Sequence, residues 1–142
     1  MKLQQLAKLL GYAGLIPFIV FSLGTWVTLP LVHNPHFVLM TYAAVILSFM
    51  GAIHWGVAMT RSSDMELAEL GLSVIPALIG WLALLLTALY GYILLIVCFS
   101  TLLLADRSVS KAGLLPGWYL PMRKVLTTIV VLCLLIAALA TI

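Results

Sequence analysis

Charge is what this sequence has least of. Of 142 residues only 8% are Asp, Glu, Lys or Arg while 65% are hydrophobic, too little polar surface to cover a water-soluble globule. The seven Lys and Arg residues are too few and too scattered to form a nucleic-acid footprint, which removes nucleic acid as a partner. Only two cysteines are present, Cys98 and Cys133; with no C-x-x-C spacing and no secreted disulfide pattern, they read as small packing residues. Catalytic signatures are missing too. There is no H-E-x-x-H, no G-x-S-x-G and no pair of carboxylates inside an apolar run, so enzyme function ranks last. His33 and His36 have a spacing that suits a metal, but no carboxylate or thiol accompanies them, and a polar turn is the plainer reading.

What is present is long apolar sequence, with a mean hydropathy of +1.26. A hydrocarbon core of about 30 Å needs roughly 20 helical residues, fewer where the bilayer thins. Residues 9–29, 37–59 and 70–90 meet that length, 92–105 is a shorter run after a turn expected at Tyr90-Gly91, and 122–142 ends the chain. These runs are apolar on every side, which argues against the alternation of a barrel strand. The expected fold is an all-α membrane protein, a five-transmembrane-helix bundle occupying residues 1–142 as one domain.

The cations orient it. With the N-terminus cytoplasmic, Lys2, Lys8, Arg61, Arg107, Lys111, Arg123 and Lys124 all fall inside, and the outer turns at 30–36 and 90–91 carry none. The C-terminus is then outside. Lys2 and Lys8 before an apolar run resemble a signal peptide, but the run is long, contains Pro17 and lacks an A-x-A site, so it reads as a retained anchor.

Local chemistry fits these ends. Ser63-Asp64-Met65-Glu66 has the spacing of a capping box, Asp64, Glu66 and Glu69 suit the positive end of the helix that follows, and Pro121 suits a first turn. Residues 112–119 are too short and broken to span and too apolar to float, so they are expected in the headgroup layer, anchored by Trp118 and Tyr119. Small residues recur at helical spacing in Ala44, Ser48, Gly51, Trp55 and Ala58, and again in Ser73, Ala77, Gly80 and Leu84. Each stripe is expected to pack on a neighbouring helix. Gly11, Gly14 and Pro17, and later Pro76, mark two helices expected to bend.

His54 is the most informative side chain. It lies five residues before the end expected at Met59, roughly 7 to 8 Å into the helix, where an ionisable group faces protein or water rather than lipid. Asp106 ends the fourth run and Arg123 begins the fifth on the same side. The three converge either as a polar pocket for a proton or a headgroup, or as a neutral His54 bonded between helices with interfacial charges nearby. Ser48 and Ser100 each precede these residues by six positions, and Pro17 and Pro76 sit in the preceding runs, a pattern compatible with two related hairpins.

Gly11-Tyr12-Ala13-Gly14-Leu15-Ile16-Pro17-Phe18, the Leu47–Gly56 block containing His54-Trp55-Gly56, Ser73-Val74-Ile75-Pro76, Asp106, and Trp118-Tyr119 before Arg123 carry a resemblance. Together they resemble an uncharacterised membrane protein family that includes mitochondrial transmembrane protein 69 and bacterial inner-membrane homologues. The resemblance implies a five-span protein of an energy-coupling membrane, here a bacterial inner membrane, and brings no activity to any residue.

Packing stripes and anchors favour an accessory or assembly protein that binds a membrane partner or itself. The alternative is a pocket for a lipid, quinone or haem built from His54, Trp55, Trp81, Asp106 and Arg123. A small oligomeric transporter or channel comes next, because the outer half offers almost no polar path. No cofactor can be named. The topology is testable directly: a reporter fused after Ile142 should be active only outside the cytoplasm, and one inserted near Lys111 only within it. The reverse pair would overturn the five-span arrangement.

Overall fold

A computed structural model describes residues 2–28, 30–61 and 66–142, without the side chains of residues 66–68. Six α-helices are present among the described residues, and no strand: α1 Leu3–Ala13, α2 Leu15–Gly24, α3 Pro35–Met59, α4 Glu66–Leu85, α5 Ala88–Lys111 and α6 Tyr119–Leu139. Four helical segments are long and apolar enough to cross a bilayer: Leu3–Gly24, Pro35–Met59, Ala88–Lys111 and Tyr119–Leu139. The apolar part of α4, Glu69–Leu85, is shorter, about 25 Å at 1.5 Å per residue. The expected capping box at Ser63–Glu66 lies largely outside the described residues.

Several boundaries move, each for a local reason. The first helix starts at Leu3 rather than residue 9, because the Gln5 side chain accepts from the Lys2 backbone N–H at 3.1 Å and caps the polar first turn. Its break falls at Gly14, three residues ahead of Pro17, which places the proline in the first turn of α2 where its missing N–H is not needed. The Tyr42 hydroxyl donates to the Gly14 carbonyl at 2.9 Å and closes the break from α3. α3 starts at Pro35, with the Asn34 side chain accepting from the Phe37 N–H at 3.0 Å, so His36 belongs to the helix and not to a turn. α5 ends where Gly113 takes φ +75°, with Gly113 N–H donating to Ser110 O and Leu114 N–H to Val109 O, the paired bonds of a Schellman end.

The largest correction concerns Tyr90-Gly91. The turn lies instead at Leu86-Thr87, and both residues sit inside α5. Gly91 is small for a packing reason: a Cβ there would collide with Met40 of α3 and stand 2.6 Å from the Ala83 carbonyl of α4. A glycine required by close approach was mistaken for one required by a turn. α6 likewise starts at Tyr119, not Met122, and Tyr119 is buried rather than seated as an interfacial anchor.

The helices form a ring in the order α4, α3, α2, α6, α5, with α3 also touching α5 across the middle and α1 lying against α2 and α6. Phe18, Leu39, Leu47, Tyr92, Leu95, Phe99 and Leu134 fill the centre. Phe18 makes edge contacts with both Tyr42 and Phe99, at centroid distances of 5.1 and 6.1 Å. Outside this core large apolar side chains such as Leu72, Leu78 and Val97 stand exposed, as lipid-facing residues do.

The most extensive contact joins α3 and α4. The two stripes of small residues pack on each other, in a narrower form than the spacing suggested. A Cβ on Gly80 would lie 3.0 Å from Ala44 Cα, and one on Gly51 would lie 2.5 Å from the Ser73 carbonyl and 3.4 Å from the Pro76 ring. Ala44 pairs with Gly80 and Gly51 with Ser73, which is the register of antiparallel helices. Ser48 and Trp55 fall off this face: Ser48 is exposed with its hydroxyl returned to the Ala44 carbonyl, and Trp55 is 42% exposed. Ser100 makes the same bond to Ile96 and Thr128 to Lys124, the ordinary return of a helical hydroxyl to the preceding turn. Gly51→Leu should therefore lower stability by about 1 to 3 kcal/mol through overpacking, while Val45→Leu on the exposed face should stay within about 0.5 kcal/mol. Equal tolerance in thermal unfolding would remove this contact as a determinant of the fold.

Candidate functional site

Three helices bring one ionisable group each to a common depth. His54 lies five residues before the end of α3, Asp106 five before the end of α5, and Arg123 four after the start of α6, roughly 6 to 8 Å from each helix end. The His54 Nε2 lies 2.8 Å from Asp106 Oδ1, and the Arg123 Nε–H donates to Asp106 Oδ2 at 2.7 Å. Asp106 and Arg123 are almost wholly buried, at 1% and 3% exposure; His54 keeps part of its ring accessible.

The geometry sets the roles of the atoms. With Arg123 compensating the carboxylate, Asp106 accepts on both oxygens, and the His54 Nε2–H supplies the second bond. Nδ1 is left with no hydrogen-bond partner among the described residues, an acceptor when the ring is neutral and a donor when it is protonated. Arg123 extends the polar line along α6. Tyr119, Arg123 and Thr127 follow at i, i+4 and i+8 on one face, all buried, and Tyr119 Oη, Arg123 Nη2 and Thr127 Oγ1 have no protein partner among the described residues.

Beside His54 opens a cavity of about 320 Å³ between α3, α4 and α5. Its walls are apolar, with Leu72, Pro76, Leu102 and Ala105, and its polar groups are His54, Glu69, Ser73 and Ser108. Glu69 is held by Arg61, whose Nη1 lies 2.9 and 2.8 Å from the two carboxylate oxygens and ties the end of α3 to α4. The Ser73 hydroxyl donates to the Leu70 carbonyl at 2.6 Å.

His54, Asp106 and Arg123 thus stand together. Trp55 and Trp81 do not join them: they are 42% and 62% exposed, face outward and line no part of this cavity. The residues following and preceding a buried group on a helix point to other sides, so adjacency of Trp55 to His54 in sequence places it away from the cluster. From the sequence Tyr119 is expected only as an interfacial anchor, Glu69 only at a helix end, and Thr127 not at all, although the spacing of Tyr119 and Thr127 from Arg123 is visible there. At the opposite end of α3, His36 Nδ1 shares a 3.0 Å hydrogen bond with Tyr92 Oη, while His33 is exposed, so the two histidines do not form a site together.

The fold and this cluster define a multi-pass helical membrane protein with an ion pair buried between its helices. The chain belongs to the family described as "Protein of unknown function (DUF3429)", which it matches over residues 3–139. It is 32% identical over 130 residues to Transmembrane protein 69 of Xenopus tropicalis, covering 90% of this chain and 51% of that protein. The chain spans about half the length of that curated relative. The resemblance drawn from the Gly11–Phe18 and Leu47–Gly56 blocks is therefore correct. No solved structure matches the chain.

The energetic consequence is asymmetric. Asp106→Ala strands a buried guanidinium and Arg123→Ala a buried carboxylate, so each should cost about 3 to 5 kcal/mol, with the double variant well below the sum. His54→Ala leaves the Asp106–Arg123 pair intact and should cost only about 1 to 2 kcal/mol. Unfolding in bicelles measures all four proteins. Strict additivity of the Asp106 and Arg123 losses would show that they act independently.

Proposed function

We propose that this chain is a five-span protein of a bacterial inner membrane, with its N-terminus and its His54 end cytoplasmic, acting as one membrane domain that binds an amphiphile. The orientation is supported by the distribution of cations. Lys2 and Lys8 begin the first helix, Arg61 follows α3, Arg107 and Lys111 end α5, and Arg123 and Lys124 begin α6, so all seven Lys and Arg belong to one end of the bundle.

The observation that carries the binding reading is the cavity beside His54, apolar along its walls and polar at the imidazole. A site of about 320 Å³ with a few convergent polar groups suits a small ligand or the head and first carbons of a lipid. The partly accessible His54 ring, near the end of α3, is placed to meet a molecule that enters from the membrane. Haem fits less well than a lipid or a quinone-like molecule. The Nε2 that would ligate iron is engaged by Asp106, and Nδ1 is crowded by the ring's own side-chain attachment.

An accessory or assembly role would use the outward face of α4, where Leu78, Trp81 and Leu85 are 59%, 62% and 62% exposed. One experiment separates the two. A single-chain lipid carrying a diazirine near its head, incorporated with the protein in nanodiscs, should label the buried lining residues Ser73 and Leu102 in preference to lipid-facing ones such as Leu78 and Val97. Ala105→Trp, which fills the cavity, should reduce that labelling at least fivefold. Labelling spread evenly over the lipid-facing helices, or indifferent to Ala105→Trp, would refute the pocket and leave the α4 face as the stronger reading.

A further inference from the structure

The polar groups of the cavity are unequal in kind. Acceptors dominate. In the neutral ring, with Nε2–H committed to Asp106, His54 presents Nδ1 as a lone pair. Pro76 has no N–H to give the Leu72 carbonyl one turn earlier, and both residues line the cavity. Glu69 adds carboxylate oxygens at the rim. Donors are scarce: the Ser73 hydroxyl is spent on Leu70, leaving Ser108 as the lining side chain with a hydroxyl to offer.

Charge is balanced as well. Among the described residues both carboxylates near the cavity carry a guanidinium partner, Asp106 with Arg123 and Glu69 with Arg61, and none of the lining residues is Lys or Arg. A phosphate or carboxylate head would meet these acceptors with no cation to receive it, and would lose its water uncompensated. A quaternary or primary ammonium would find its natural counter-charges already paired. A neutral O–H meets neither obstacle, since it supplies the hydrogen the acceptors lack.

Resting on the pocket reading above, we infer that the ligand is a neutral amphiphile with a hydroxyl head, a lipophilic alcohol or phenol, bound as a hydrogen-bond donor to His54 Nδ1 and the Leu72 carbonyl. The proline and the Asp106–His54 bond then have a shared purpose. The proline withholds the N–H that a regular helix would give the Leu72 carbonyl, and the Asp106 bond directs the other ring nitrogen of His54 away from the carboxylate.

Competition against the photoreactive lipid in nanodiscs tests this with the full chain. The probes are dodecan-1-ol, its methyl ether, which keeps the oxygen and removes the donor, and dodecyl phosphate. Dodecan-1-ol should displace label from Ser73 and Leu102 at a mole fraction about five- to tenfold below the ether, the scale of one net hydrogen bond, with the phosphate weakest. Pro76→Ala, which returns an N–H to the Leu72 carbonyl and favours the helix, should narrow the alcohol's advantage while leaving the ether unchanged. Equal potency of alcohol and ether, or a phosphate that outcompetes both, overturns the hydroxyl assignment while the pocket stands. Failure of all three to displace label from those residues overturns the pocket itself, and the inference with it.

Discussion

A carboxylate placed inside a membrane bundle must find its compensation among the neighbouring helices, because lipid has none to give. Asp106 does so on both oxygens, taking Arg123 from α6 and His54 from α3. The pairs set more than charge. They fix the axial register of three helices against one another, since a slip of one turn, about 5.4 Å, would break both bonds at once. Apolar packing tolerates such slips far better, and between helices in lipid it has no hydrophobic driving force to resist them. The buried pair is better understood as a specifier of arrangement than as a source of net stability, because desolvation offsets much of its attraction.

The α3–α4 contact complements it by another means. Here Ala44, Gly51, Ser73 and Gly80 let backbones touch, and no ion pair is needed within the contact. Pro76 lies where that contact runs beside the cavity: its ring packs near Gly51, and its own residue and Leu72 form part of the wall. Close approach over one stretch and a polar, unfilled space beside it are thus produced by adjacent turns of the same helix. Arg61 and Glu69 brace the far side across the α3–α4 connection.

A cavity whose acceptors outnumber its donors, at the end of the bundle where every cation gathers, is an unusual combination for a family without a known activity. The basic end would draw anionic headgroups to the surface, while the described lining of the cavity includes no Lys or Arg to receive them. Selection between surface and cavity then rests on the head group: charged lipids stay at the rim, and a neutral hydroxyl enters.

The sequence by itself determined the class of protein, the helical character of each apolar run and the end of the bundle at which its cations lie. These follow from composition and from the length of uncharged stretches, which local chemistry decides. It also singled out His54, Asp106 and Arg123, because an ionisable residue within an apolar helix is conspicuous wherever the chain folds. Tertiary structure decided what the small and rigid residues are for. Gly91 looked like a turn and serves a three-helix contact with Met40 and Ala83; Trp55 adjoins His54 in sequence and faces away from it; Tyr119 looked like an interfacial anchor and is buried beside Arg123. The cavity was invisible for the same reason. Its walls come from α3, α4 and α5, and which faces of three helices meet depends on contacts between residues distant in the chain, which no local pattern records.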